Sequence, residues 1–310
     1  MSRQRTVDRL LLSLCALALL WMLPLLAQAA GQTTLVLGRV SDDPKAHYER
    51  LKPLLDYVVP KMADLGIREG RVLMARDAQQ MVSYLRQGKV DWITETSGAA
   101  LGFVERANAR VFLRSRRGGL FDYRTVFFAR KDSGIRGIED LLGRALGLQH
   151  PMSTTAYLVP AAILLNHGIP LAIQASPLDK PPPAFVGYVF ARSESNLITW
   201  VQKGLVDAAA FSNQDWDELQ LASPAIASEL MVFHQSREFP RALELVRDGL
   251  DPLIEQRLRE ILLAAHDDPA AGPALDAYLR TERFDVVDQA TWAALADLRE
   301  GVRRVRTEIE

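Results

Sequence analysis

Cysteine is almost absent: Cys15 is the only one in 310 residues. One thiol can neither close an internal disulfide nor build a Cys-based zinc site, so the chain must be held by its core. A charge excess is missing too. Lys and Arg total 37 against 38 Asp and Glu, a net charge of −1. Without a basic surplus the electrostatic footprint of nucleic-acid binding is missing, and no nucleic-acid partner is expected. The histidines, His47, His150, His167, His234 and His266, show no metal-ligand spacing, so no metal site is expected. There is no Gly-x-Ser-x-Gly elbow, Walker loop or Rossmann glycine fingerprint, and neither a catalytic residue nor a cofactor is expected. After residue 30 no run is long and apolar enough to span a bilayer.

What is present starts with an unusual amino terminus. Arg3, Arg5 and Arg9 stand against one acid, Asp8, and an apolar run follows from Leu10 to Leu26. Small residues come next, in Ala27-Gln28-Ala29-Ala30. A basic segment, an apolar segment and an Ala-x-Ala site describe a secretory signal peptide over residues 1–29. The competing reading is an uncleaved anchor, but the run is interrupted by Ser13 and Pro24 and falls short of the ~20 apolar residues a span needs. Leu14 precedes Cys15 where a lipoprotein would carry a small residue. Export to a bacterial periplasm is therefore expected, with a mature chain free of cysteine.

The chain as a whole is 48% apolar and 24% charged, an ordinary globular balance with length for about two domains. Strand and helix signals alternate. Thr33–Val40, Arg71–Ala75, Val90–Thr94 and Ala109–Leu113 read as strands, separated by helices over Lys45–Leu65, from Asp77 to Gly88, and over Ser97–Asn108. Such alternation implies a largely parallel sheet covered by helices. A basic loop, Arg114–Asp122, interrupts the series, which resumes with a strand over Tyr123–Arg130. A second series contains strands at Ala145–Gln149, Val186–Phe190 and Ala208–Phe211, with helices at Ile138–Leu142, Ser153–Asn166 and Glu194–Lys203. After Asp215 a strand near Leu230–His234 and long helices to the end are expected. Two α/β lobes describe this economically, with the cleft between them as a natural ligand site.

The most informative stretch is Gln149-His150-Pro151-Met152-Ser153-Thr154-Thr155-Ala156-Tyr157, where three hydroxyl residues open an apolar helix. The first turn of a helix has unpaired N–H groups and a partial positive charge, so it favours an anion. One Ser or Thr would suffice as a cap; three exceed that need. Two further clusters follow strands: Thr94-Glu95-Thr96-Ser97 and Ser212-Asn213-Gln214-Asp215-Trp216. Taken alone, each is better explained by ordinary capping and turn chemistry. A third, Ser193-Glu194-Ser195-Asn196, reads as a plain helix cap.

In combination these residues resemble the phosphate, phosphite and phosphonate-binding (PhnD-type) periplasmic proteins of ABC importers. The resemblance covers most of residues 33 to about 270. It is carried by Arg50-Leu51-Lys52-Pro53-Leu54-Leu55-Asp56-Tyr57, Gly88-Lys89-Val90-Asp91, Val126-Phe127-Phe128-Ala129-Arg130-Lys131-Asp132-Ser133-Gly134-Ile135, Ser153-Thr154-Thr155-Ala156-Tyr157-Leu158-Val159-Pro160 and Val206-Asp207-Ala208-Ala209-Ala210. It implies an α/β class II periplasmic-binding-protein fold: two Rossmann-like lobes joined by two crossover strands, near Tyr123–Arg130 and Phe211–Trp216, with the ligand cleft between them. The expected division is 30–125 for lobe one, 126–212 for lobe two, and 213–310 for the return to lobe one and the C-terminal helices.

The resemblance further implies a non-enzymatic receptor that closes on a small oxyanion and hands it to an inner-membrane ABC permease. The expected ligand contacts are Ser153, Thr154 and Thr155 at the helix start, Tyr123 at the crossover, Glu95 and Thr96 after the third strand, and Ser212, Asn213 and Asp215 after the last strand of lobe two. The protein is expected to act as a monomer. Presentation of the closed form to a membrane-bound kinase or cyclase is the alternative. Glu95 departs from many relatives, which have Gly-Pro and a downstream aromatic after the third strand. A carboxylate there repels a full anion, accepts a hydrogen bond from a protonated one, and would pair with an ammonium group.

Overall fold

A computed structural model describes residues 32–309; the expected signal peptide lies outside them. The first lobe opens with β1 (Thr34–Val40), α1 (Pro44–Val58), β2 (Glu69–Ala75), α2 (Ala78–Arg86), β3 (Trp92–Thr96), α3 (Ser97–Ala107) and β4 (Arg110–Arg117). A two-residue strand, β5 (Asp122–Tyr123), leads into the second lobe. There follow β6 (Thr125–Arg130), β7 (Ala145–Leu148), α4 (Val159–Asn166), β8 (Leu171–Ile173), β9 (Val186–Phe190) and α5 (Glu194–Gln202). The lobe closes with β10 (Ala208–Ser212), α6 (Asn213–Ala222), α7 (Pro224–Glu229) and β11 (Leu230–Gln235). The chain returns through β12 (Phe239–Pro240) to β13 (Ala242–Val246), α8 (Pro252–Ala264), α9 (Gly272–Ala277), β14 (Thr281–Asp285) and α10 (Gln289–Glu308).

Each lobe is built on a six-stranded mixed sheet, ordered β14-β4-β13-β3-β1-β2 in the first and β11-β6-β10-β7-β9-β8 in the second. β1 is parallel to β2 and β3, whereas β13 is antiparallel to both β3 and β4. Apolar clusters cover both faces of both sheets. Leu37, Leu54, Trp92 and Tyr278 lie on one face of the first and Met81, Ile93 and Phe103 on the other; Phe127, Leu146 and Tyr157 oppose Phe128, Leu197 and Phe211 in the second.

The expected boundary at residue 213 is corrected. β10 does not leave the second lobe: it runs into α6, and β11 then adds to the sheet edge as the antiparallel partner of β6. The return crossing is β12, paired antiparallel with β5 through Phe239 to Tyr123 and Pro240 to Asp122, not Phe211–Trp216. The expectation of helices to the end also fails at β13 and β14, the strands inserted beside β4 in the first sheet. α10 belongs to neither lobe alone: Leu295 sits in the core of the first, Val302 and Val305 in that of the second.

Two aspartates among the resemblance landmarks have matching structural jobs. Asp91, which is buried, accepts the Val36 backbone N–H at 2.9 Å and pairs with Arg247 at 2.9 Å. In the second lobe Asp207 accepts the Ala145 backbone N–H at 2.8 Å and pairs with Arg144 at 3.0 Å. Each carboxylate pins the start of its strand to the neighbouring one.

Candidate functional site

The hydroxyl helix start adopts an uncommon local form. Thr154–Leu158 is a π-turn closed by Leu158 N–H donating to the Ser153 carbonyl at 2.9 Å, and α4 continues from it. Pro160 has no N–H to give the preceding turn, and the Ala156 carbonyl instead accepts from Gln149 at 2.9 Å. The Ser153 hydroxyl accepts the Ala156 N–H at 3.2 Å and so caps the turn. The Thr125 hydroxyl donates to the Thr155 carbonyl at 3.0 Å, tying the turn to β6.

Thr154 reaches across to the other lobe. Its hydroxyl accepts the Gly98 backbone N–H at 2.9 Å and donates to the Thr96 hydroxyl at 2.8 Å. Thr154 is 1% exposed, so the cleft is closed at this point. The starts of α3 and of the π-turn therefore approach each other from opposite lobes. Each contributes the positive end of its helix dipole, an arrangement that an anion between them stabilises.

Glu95 is buried at the end of β3. Burial pushes its carboxyl above the ordinary carboxylate range, opposed by the guanidinium groups of Arg39 and Arg117. Tyr123 lies on the crossover strand with its ring edge-on to Phe239, centroids 5.0 Å apart. Its hydroxyl is buried beside Thr154, and burial pushes its pKa up to about 12. The Ser97 hydroxyl is buried and unpartnered.

The third expected group is occupied by its own lobe. Ser212 and Asp215 form a capping box: the Asp215 N–H donates to the Ser212 hydroxyl at 3.1 Å, and the Ser212 N–H to Asp215 Oδ2 at 3.1 Å. Asn213 pairs with the backbone of Arg124 in both directions at 2.9 Å, fixing α6 to the crossover.

The structure adds residues that sequence reading missed. Arg117 and Glu244 form a buried ion pair at 3.1 Å, and Glu244 also accepts from Trp92, Thr94, Ser115 and Tyr278. Arg241 donates to Gln214 of the second lobe at 3.0 Å, and Arg280 pairs with Glu218 there at 2.9 Å. Leu279 and Arg280 hold φ of 58° and 56°, left-handed backbone that costs a non-glycine residue about 1–3 kcal/mol. These side chains are far apart in sequence and form no motif. Among the described residues, no group of three or more His, Cys, Asp or Glu could hold a metal ion. A separate cavity of about 570 Å³, lined by α4, Ser236–Phe239 and α10, shares none of the cleft hydroxyls.

This architecture has close counterparts. The profile of the family "ABC transporter, phosphonate, periplasmic substrate-binding protein" matches residues 38–292. XAC2383 from Xanthomonas citri, solved with chloride and with ATP, is 46% and 45% identical in the two structures; each covers 90% of this chain and 100% of its own, with TM-score 0.86. A binding protein component of an ABC phosphonate transporter from Pseudomonas aeruginosa is 22% identical over 89% of this chain and 88% of its own, TM-score 0.65. PhnD1 from Prochlorococcus marinus, in complex with methylphosphonate, is 16% identical over 88% and 98%, TM-score 0.67. Two mixed sheets, a paired crossover and a hydroxyl-lined helix start thus occur together with a family match over most of the described chain, and the protein belongs to the periplasmic phosphonate-type substrate-binding proteins of ABC transporters.

Proposed function

We propose that the protein is a periplasmic receptor that captures a small oxyanion of the phosphonate, phosphate or phosphite class by hinge closure and delivers it to an inner-membrane permease. The observation that carries this reading is Thr154, a buried hydroxyl at a helix start bonded to Thr96 and Gly98 of the opposite lobe. Ligand contacts are assigned to Ser153, Thr154, Thr155, Thr96 and Tyr123. Glu95 tunes the charge of the seat, while Ser212, Asn213 and Asp215 hold α6 and the crossover in place. The turn supplies N–H and O–H donors without net charge, so it binds an oxyanion without a basic surface. Because closure buries the ligand between lobes, the closed form is the state a permease can recognise. The family is one of transport components, which favours delivery over signalling to a kinase or cyclase. The chloride and ATP carried by the X. citri relative are both anions, which supports an anion seat. Export is through the N-terminal segment, with residues 1–29 removed.

The test is the double substitution Ser153→Ala with Thr154→Ala, titrated calorimetrically with methylphosphonate, inorganic phosphate and phosphite. Binding is expected to fall below detection while the thermal transition stays cooperative. Retained affinity in the folded double variant refutes the seat.

A further inference from the structure

The pairing of the first sheet carries scattered arginines to one edge. β13 is antiparallel to β3 and β4, β14 is antiparallel to β4, and β1 is parallel to β3. The ends of β1, β3 and β4 and the starts of β13 and β14 therefore share the edge that Thr96 presents to the cleft. Arg39 is the penultimate residue of β1, Arg117 the last of β4, and Arg241 and Arg280 immediately precede β13 and β14.

The charges of these arginines are unequally matched. Arg117 is paired with Glu244 and Arg280 with Glu218. Arg39 and Arg241, both half-buried, have no carboxylate within ion-pair distance among the described residues; Arg39 donates to the Thr94 carbonyl at 3.3 Å and Arg241 to the Gln214 amide oxygen. Polar atoms are left over in the same region. The Nε groups of Arg39 and Arg117 are buried without partners, although Arg117 is only 3% exposed, and the Tyr123 hydroxyl, 5% exposed, lies beside Thr154. The Arg241 guanidinium stands 5.7 Å over the Tyr123 ring. Besides Glu244 on Arg117, two acids face the group. Glu95 lies near Arg39, and Asp215 lies near Arg241 with its carboxyl held by Ser212. Buried donors without acceptors are costly and await an acceptor.

We propose that Arg39, Arg117 and Arg241 form, with Tyr123, a second anion subsite on the first lobe, so that the ligand carries two anionic groups, as diphosphates and phosphonates with a second acid do. The inference rests on the oxyanion seat at Ser153–Thr155, which holds the first group. The second group accepts from the guanidinium forks, whose planar geometry suits phosphoryl and carboxylate oxygens. An aminoalkylphosphonate would meet these cations with its ammonium and is disfavoured.

Calorimetry on the mature protein with methylphosphonate, 2-aminoethylphosphonate and methylenediphosphonate tests this. The wild type is expected to bind methylenediphosphonate at least tenfold more tightly than either other probe. Arg39→Gln with Arg241→Gln should reduce that ratio to near one, and Arg241→Lys, which keeps the charge, should retain part of it. A wild-type ratio at or below one, or an unchanged ratio in the folded double variant, overturns the second subsite. Loss of methylphosphonate binding in S153A/T154A beside such a ratio leaves the first seat standing and removes only the second. Failure of all three probes on the wild type overturns both.

Discussion

Alanine at Gly98 would place its Cβ 2.9 Å from Leu158 Cδ1 and 2.9 Å from Thr154 Oγ1, two atoms of the opposite lobe. Gly98 has no left-handed φ, so the backbone accepts alanine and the conflict is purely one of space. It exists only while the lobes touch. In the open state that the proposed hinge closure implies, this contact is absent, and replacing helical glycine by alanine is favourable by up to about 1 kcal/mol. Overpacking a close contact costs about 1–3 kcal/mol, charged here to the closed state alone. At about 1.4 kcal/mol per tenfold, the closed population falls roughly 5- to 150-fold. The expected result is that Gly98→Ala weakens methylphosphonate binding by that factor while the ligand-free melting temperature stays at or above wild type. Small-angle scattering should show the variant keeping its open radius of gyration at ligand concentrations that compact the wild type. Wild-type affinity and compaction in a normally melting variant would refute the reasoning, because Gly98 and Thr154 could then not be adjacent in the closed, liganded form.

Three further outcomes are expected. Glu244→Ala leaves Arg117 buried without its counter-charge and should cost about 3–5 kcal/mol of stability, read by denaturant unfolding; a loss under 1 kcal/mol would mean that water reaches Arg117. Ser212→Ala breaks a capping box and should lower stability by about 1 kcal/mol with less than a threefold change in affinity. A tenfold affinity loss at unchanged stability would make Ser212 a ligand contact instead. For Glu95, whose carboxyl is raised by burial, the folded chain holds a proton that the unfolded chain releases at the ordinary value of 4.5. Its contribution to stability therefore falls as pH rises from that value through the raised one, and an anion binds more tightly on the acid side, where the carboxyl is neutral. Glu95→Gln should flatten both slopes, checked by calorimetry and thermal melts from pH 5 to 8; slopes identical to wild type would take Glu95 out of the seat.

Much was legible in the chain because its signals are local. Apolar periodicity located β1, β9 and β10 to within a residue or two at each end. Asp91 and Asp207 belonged to the segments that carry the family resemblance, and their strand-pinning bonds supply a structural role for the acid. Three successive hydroxyls at a helix start need only local chemistry to suggest an oxyanion seat, but sequence could not foresee the π-turn, which depends on Gln149 satisfying the carbonyl that Pro160 leaves free. Ser212, Asn213 and Asp215 taken alone read as caps and became ligand candidates only through the resemblance, since the same atoms serve both; only the bonds to Asp215 and to the Arg124 backbone show how they are engaged.

The remainder belonged to the tertiary structure for one physical reason: strand pairing is non-local. Ala242–Val246 carries no mark of whether it continues a helix or enters a sheet, and its place between β3 and β4 is set by hydrogen bonds to residues more than a hundred positions away. Those pairings moved the return crossing to Phe239–Pro240 and brought Arg39, Arg117 and Arg241 to one edge. Sequence by itself determined two α/β lobes and the hydroxyl helix start proposed as the seat. The arginines at that edge were placed only when the sheet formed, because five separate strands meet there and none of them carries a motif.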